Sequence, residues 1–351
     1  MKKTVLIVFA VLFVFVSGCT WDQRSKNKQD SIVIGYITES MTVERWQRDR
    51  DIFVAKAESL GAQVIVKDAY EDSKVQEQIG RDMVDQGADV LVIVPYDKDS
   101  LRDLVNYAHS HNTKVISYDR LIRNANVDLY ISFDNTRVGE LMGKAAVTAV
   151  PRGNYLILNG NPADNNSSML TKGYMSFIQP KVETGEILII GETSVKDWRK
   201  ELSYQYVTNI IDNGEKPDAV ISADDKLAEG AVNALSENRL AGRVFVTGQD
   251  AELAACQRIV EGTQNMTVYK KISLLAEGAA QIAVKMAQGG DSGAHETISD
   301  GTYNVPYIQY EPTEVTKDNI DSTIIEDGFY TKEQVYANVL PSERPSQTNS
   351  G

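Results

Sequence analysis

Two segments decide the fold: Lys114-Val115-Ile116-Ser117-Tyr118-Asp119-Arg120 and, a few residues on, Leu129-Tyr130-Ile131-Ser132-Phe133-Asp134-Asn135. Each is an apolar run, rich in Val, Ile and aromatic residues, that ends on charged or amide side chains. Continuous apolar runs are the pattern of parallel strands covered on both faces. The polar residues then collect at the carboxyl ends. The arrangement recurs. Asn159 to Asn166 follow Leu156-Ile157-Leu158, and Asp224-Asp225 follow Val220-Ile221-Ser222-Ala223. Gln249-Asp250 follow Val246-Thr247-Gly248, and Lys270 follows Val268-Tyr269.

Outward from these segments, further strands are expected at Ile32–Ile37, Gln63–Val66, Val90–Val94, Tyr155–Leu158, Ile187–Ile190, Ala219–Ser222, Arg243–Thr247 and Met266–Tyr269. Helical patterns lie between them, at Val43–Leu60, Lys74–Gln86, Gly139–Ala149 and Ile272–Gln288, with Gly61 and Gly87 where helices should stop. The βαβα order implies an α/β fold with open, doubly wound parallel sheets. Ten strands exceed one comfortable sheet of this type, so two lobes are expected.

In open α/β sheets ligands bind beyond the carboxyl ends of the strands. That edge carries Asp119, Asp164, Asp224 and Asp250 against Arg45, Arg120 and Lys270. Helix capping is the alternative for some acids, notably Asp134 and Asp225, but not for Arg120 or Lys270. No glycine-rich phosphate loop occurs. A mixed-charge crevice suits a neutral polyol, whose hydroxyls donate to carboxylates and accept from cations. Trp46 and Trp198, two of three tryptophans, stand near strand–helix junctions and could stack on a sugar face, with core packing as the alternative. Carboxylate pairs could hydrolyse a glycoside. No serine elbow, HExxH or cysteine–histidine arrangement accompanies them, so no catalytic residue and no enzyme activity are expected.

The chain has 351 residues, 36 Lys+Arg and 49 Asp+Glu, a net charge of −13, which disfavours nucleic acid and anionic bilayers. Three histidines and two cysteines leave little for a metal, and no cofactor is expected. His109 and His111 do not converge on a helix, and Asp97-Lys98-Asp99-Ser100 lacks the rest of a calcium loop. Residues 1–18 read as a leader: Lys2 and Lys3, an apolar run to Val16, then Ser17-Gly18 before Cys19. This resembles a bacterial lipobox, with Cys19 lipidated, 19–30 as a tether and the protein held outside the cell membrane. Cys256 is expected in a core, and 337–351 as a disordered tail.

The segment Glu44-Arg45-Trp46-Gln47-Arg48-Asp49-Arg50-Asp51-Ile52-Phe53 strongly resembles bacterial D-xylose-binding proteins. So do Tyr118-Asp119-Arg120, Asp164-Asn165-Asn166, Gly248-Gln249-Asp250-Ala251 and Met266-Thr267-Val268-Tyr269-Lys270. The resemblance covers about residues 31 to 336. It implies the ribose/galactose-type periplasmic binding fold, two lobes joined by three crossings near Asn135, Lys270 and Thr302. The lobes would be 31–135 with 271–301, and 136–270 with 302–336. It also implies sugar contacts from Arg45, Trp46, Asp119, Arg120, Asp164, Asn166, Trp198, Asp250 and Lys270. Asp224 stands where the family has asparagine, which makes a pentose firmer than strict xylose specificity. The implied partners are D-xylose or a related pentose and the permease of an ABC-type importer, or alternatively a membrane sensor kinase.

Overall fold

The structure is a computed structural model that describes residues 32–344; the leader, Cys19, the tether and the end of the tail lie outside the described residues. The first half of the chain builds β1 (Val33–Thr38), α1 (Glu44–Ser59), β2 (Gln63–Asp68), α2 (Ser73–Asp85), β3 (Val90–Ile93), α3 (Arg102–Ser110), β4 (Lys114–Tyr118) and β5 (Leu129–Phe133). There follow α4 (Asn135–Ala149), β6 (Gly153–Asn159), α5 (Asn165–Glu183), β7 (Ile187–Ser194), α6 (Lys200–Asp212), β8 (Ala219–Ser222), α7 (Asp225–Glu237), β9 (Phe245–Val246), α8 (Leu253–Glu261) and β10 (Met266–Tyr269). The chain ends with α9 (Ile272–Ala287), β11 (Glu296–Ser299), β12 (Asn304–Tyr310), β13 (Thr313–Thr316) and α10 (Lys332–Val335).

One sheet has the order β11-β12-β5-β4-β3-β1-β2, parallel except for β11. The other, β7-β6-β8-β9, is parallel throughout, and β10 pairs antiparallel with β13. Both parallel sheets place their first strand between their second and third, so β1 and β6 are equivalent. Each therefore has its switch point, where strand order reverses, beside that first strand. The two sheets are those of the doubly wound α/β fold that the alternation implies.

Strand side chains alternate faces. Ile34 and Tyr36 join the core with Trp46, Phe53 and the alanines of α9, while Ile37 joins Leu91, Leu104 and Val105 on the other face. A separate core of Tyr155, Leu156, Ile157, Leu170 and Val220 fills the second unit. Gly61 and Gly87 end α1 and α2 at φ of 88° and 87°, a region open to glycine. Cys256 is a free, fully buried thiol. His109 Nε2 bonds Asp128 at 2.8 Å and His111 lies against the Tyr107 carbonyl, so the two serve separate local contacts. Among the described residues no helix is long and apolar enough to cross a membrane, and no acid–histidine–cysteine cluster could hold a metal.

Three differences from the sequence reading follow from edges and ends. The chain passes between the sheets at Asp134–Asn135, at Lys270–Lys271 and between Tyr310 and Thr313. The third crossing is therefore not at Thr302: β12 pairs with β5 through Tyr307 and Tyr130, so 302–310 stays with the first sheet. Second, Asp225 is no cap; Asp224 caps α7, its Oδ1 accepting from the Leu227 N–H at 2.7 Å. Third, residues 337–344 are ordered onto the second unit. Asn338 bonds Glu261 at 2.6 Å, Val339 packs on a core of Ile259 and Val335, and Pro341–Glu343 form a short turn of 3-10 helix.

Helices α4 and α5 cross at glycines. A Cβ on Gly173 would fall onto the Thr136 carbonyl oxygen, and one on Gly139 onto that of Leu170. Gly173→Ala should therefore force the helices apart and destabilise the protein by about 1–3 kcal/mol in chemical unfolding. An unchanged midpoint would contradict the close crossing.

Candidate functional site

The carboxyl ends of β1, β3, β4, β6 and β8 face one cavity of about 90 Å³. That is room for roughly six to nine water-sized spheres, the scale of one monosaccharide. All ten residues singled out from the sequence line it: Arg45, Trp46, Asp119, Arg120, Asp164, Asn166, Trp198, Asp224, Asp250 and Lys270. Local folding explains the placement. Arg45 and Trp46 lie in the first turn of α1, directly after β1, and Asp119 and Arg120 follow β4. Asp164 caps α5, accepting from the Asn166 N–H at 2.9 Å.

Charges alternate around the cavity and join its two sides. Arg45 pairs with Asp119 on its own side and reaches Asp250 Oδ1 across the cleft at 3.3 Å. Arg120 pairs with Glu39 on its own side, and its Nε lies 2.7 Å from Asp164 on the other. Lys270 Nζ holds the same Asp250 oxygen at 2.7 Å. Asn166 Nδ2 donates to the Asp119 carbonyl at 3.1 Å, and Tyr130 donates to Asn166 Oδ1 at 3.2 Å. The Tyr96 hydroxyl donates to Asp197 at 3.0 Å, and Lys98 Nζ to the Pro162 carbonyl at 2.8 Å. These contacts bridge the two sides of the cleft.

Both tryptophans are part core and part cavity wall. Trp46 is 3% exposed, donates through Nε1 to Glu39 at 2.8 Å, and lies under the Arg45 and Arg120 guanidinium carbons at 4.6 and 5.5 Å. Trp198 packs on Gly160, where any Cβ would strike its ring, and its buried Nε1 has no partner. Five lining residues hold left-handed backbone: Glu71 (φ 60°), Asp119 (62°), Asp197 (53°), Trp198 (52°) and Asp250 (90°). Such conformations cost about 1–3 kcal/mol each and concentrate at ligand clamps.

Electrostatics separates the acids. Burial pulls the Arg45 and Arg120 guanidiniums down, but the carboxylates around each outweigh it and both are raised. Burial also works against ionised Asp250, yet Lys270 and Arg45 hold it below the ordinary carboxylate range. Asp224 makes no ion pair among the described residues and is pushed well above that range by burial, with Glu252 and Asp250 adding to the effect and the Leu227 N–H and Lys226 opposing it. Asp225 accepts from Gln264 (2.8 Å), Thr267 (2.9 Å) and the Glu252 N–H (3.0 Å), and burial, then Glu252, push it up to about 8.

The sequence reading did not single out Glu39, Val43, Glu71, Tyr96, Asn161, Asp197, Lys226, Gln249 and Glu252 as site residues, and these complete the wall. Glu39 and Tyr96 sit just past β1 and β3, so the strand-end rule applied evenly would have found them. Gln249 is next to Asp250, and its buried Oε1 has no partner. Asp197 carries no such signal, because a left-handed turn beside Trp198 brings it in.

Asp224→Asn should preserve the cap, since both residues cap well, and remove a buried ionisable group. A carboxyl raised in the folded state supplies stability at low pH that is lost as pH rises above about 4, the unfolded value. Denaturation of the unliganded protein at pH 5 and pH 8 should thus show wild type losing ground to Asp224→Asn, by up to about 1.4 kcal/mol per pH unit. Equal slopes would contradict the burial argument.

A family model described as a periplasmic binding protein domain matches residues 34–291. The chain is 44% identical over 305 residues to the D-xylose-binding periplasmic protein of Escherichia coli (strain K12), covering 87% of this chain and 92% of that one. It is 42% identical over 328 residues to the D-xylose-binding periplasmic protein of Haemophilus influenzae, covering 93% and 98%. Among solved structures, a carbohydrate transporter solute binding protein from Chloroflexus aurantiacus in complex with D-glucose aligns with a TM-score of 0.81 at 26% identity, covering 87% and 98%. Two equivalent doubly wound sheets around one interlobe cavity, together with these matches, place the chain among binding proteins and not enzymes: it belongs to the periplasmic binding protein family.

Proposed function

We propose that the protein binds D-xylose, or a closely related pentose, in the cleft between its two sheets and closes on it. As an exported protein, tethered through lipidated Cys19, it delivers the sugar to the permease of an ABC-type importer. The observation that carries this reading is the alternation of carboxylates and cations around a cavity the size of one sugar ring. Each sugar hydroxyl both donates and accepts, so it can bridge a carboxylate such as Asp119 or Asp250 to Arg45, Arg120 or Lys270. Hydrogen bonds to charged groups contribute about 1.5–3 kcal/mol each before desolvation. The names of the two relatives above 40% identity supply the pentose, and Trp46 and Trp198 supply apolar surface for its C–H faces.

A sugar can drive closure only by binding the closed state better than the open one. Arg45, Asp119 and Arg120 on one side and Asp164, Asn166 and Asp250 on the other satisfy that condition, since an open cleft offers the sugar only one set.

Calorimetric titration with D-xylose, ribose, arabinose and glucose should rank D-xylose tightest, with a micromolar or lower Kd, about −8 kcal/mol or stronger. Binding of glucose or ribose without binding of xylose would remove the pentose assignment. Asp250→Ala, which leaves Lys270 and Arg45 without their shared acceptor, should weaken binding by about 1.5–3 kcal/mol or more. A folded variant with wild-type affinity would exclude Asp250 from the sugar site.

A further inference from the structure

Asp49 lies on α1 one turn beyond Arg45, is fully buried and does not line the cavity. Its Oδ1 accepts a hydrogen bond from the Tyr118 hydroxyl. Its Oδ2 has no hydrogen-bond partner; its ion-pair partner is Arg45 Nε, at 3.6 Å. Arg45 is thus held at three points, by Asp119 and Asp250 at its terminal nitrogens and by Asp49 at Nε. Asp119 and Asp250 line the cavity and must share the guanidinium with any ligand hydroxyl. Asp49 is behind the cavity, where no ligand competes for it.

We infer that Asp49 is a positioning residue that aims the Arg45 guanidinium into the cleft, and that its ionisation couples sugar affinity to pH. The inference rests on the sugar-binding reading above. The groups around Asp49 leave Arg45 as its principal counter-charge. On α1 it meets Arg45; β1 brings Tyr36, whose buried hydroxyl has no partner, and β4 brings Tyr118 with Asp119 after it. Lys270 acts from the end of β10 as the weakest of these influences. Helix α9, packed on α1, buries only apolar residues such as Leu275, Ala276 and Ala279, and its Glu277 and Lys285 are exposed. On β2, Lys67 is exposed and Asp68 accepts from the Met41 and Tyr70 N–H groups. Burial pushes the Asp49 carboxyl up to about 6, with Arg45 and the Tyr118 hydrogen bond opposing the rise. Protonation therefore removes the rear hold on Arg45 as pH falls through about 6, and leaves the guanidinium to Asp119 and Asp250.

The test is D-xylose titration of wild type, Asp49→Asn and Tyr118→Phe from pH 5 to pH 8, with the Arg45 side-chain N–H resonance followed by NMR in the unliganded proteins. Wild-type affinity should fall roughly tenfold between pH 7.5 and pH 5. Asp49→Asn, of the same size, should bind roughly tenfold more weakly at pH 7.5 and lose the acid limb. Tyr118→Phe deletes a hydrogen bond that favours ionised Asp49, so the limb should move to higher pH, a shift that a merely structural role would not produce. The Arg45 resonance should move near pH 6 in wild type and stay fixed in Asp49→Asn. Xylose binding by Asp49→Asn with wild-type affinity and pH profile overturns the inference, as does an Arg45 resonance that ignores pH in wild type. If wild type binds no xylose at any pH, the pentose reading fails, and the Arg45 resonance alone decides whether Asp49 holds that guanidinium.

Discussion

The cleft depends on keeping two buried guanidiniums charged. Removing Arg45 and Arg120 from water carries a penalty of several kcal/mol per ion, recovered only when carboxylates surround each with good geometry. Both sides of the cleft contribute. Asp49, Asp119 and Glu39 come from one side and Asp250 and Asp164 from the other, so each cation gains a further carboxylate when the two sides meet. On the proposed sugar-binding reading the same groups meet the polyol, so closure and ligand binding would draw on one set of charges, with affinity set by how well hydroxyls replace contacts that the protein already makes with itself.

Chemically identical acids behave differently within this ring. Asp224 and Asp250 both follow strands and both line the cavity, yet burial raises the first and Lys270 with Arg45 lowers the second. The difference is one of neighbours and not of residue type. Asp224 spends an oxygen on the Leu227 N–H and has no cation in ion-pair contact, whereas Asp250 has two. The left-handed backbone at Asp119, Asp197, Trp198 and Asp250 adds a second constraint, because these conformations persist only where the surrounding contacts hold them.

Much of this was legible along the chain. The central strands, such as Lys114–Tyr118, Leu129–Phe133 and Ala219–Ser222, declare themselves by mostly apolar runs that do not alternate with charged residues, because both faces are buried. The edge elements do not. The β11 segment Glu296–Ser299 is largely exposed, and β12 carries Pro306 within its run, so neither shows the central-strand pattern. Their place was decided by pairing, β12 with β5 and β11 with β12, which also moved the last crossing from Thr302 to beyond Tyr310. The site was readable where it follows a strand end and was missed at Asp197, which an irregular turn delivers.

By itself, then, the sequence determined the doubly wound α/β class, the duplication into two sheets and the strand ends that carry polar groups, since each follows from local periodicity and chain order. Tertiary structure alone decided which of two adjacent acids caps α7, which carboxylates share a cation, and that Asp49 stands behind Arg45. Those outcomes depend on distances between residues as far apart in the chain as Arg45 and Asp250. Only the packed fold brings such partners within reach, in surroundings dry enough for their charges to matter.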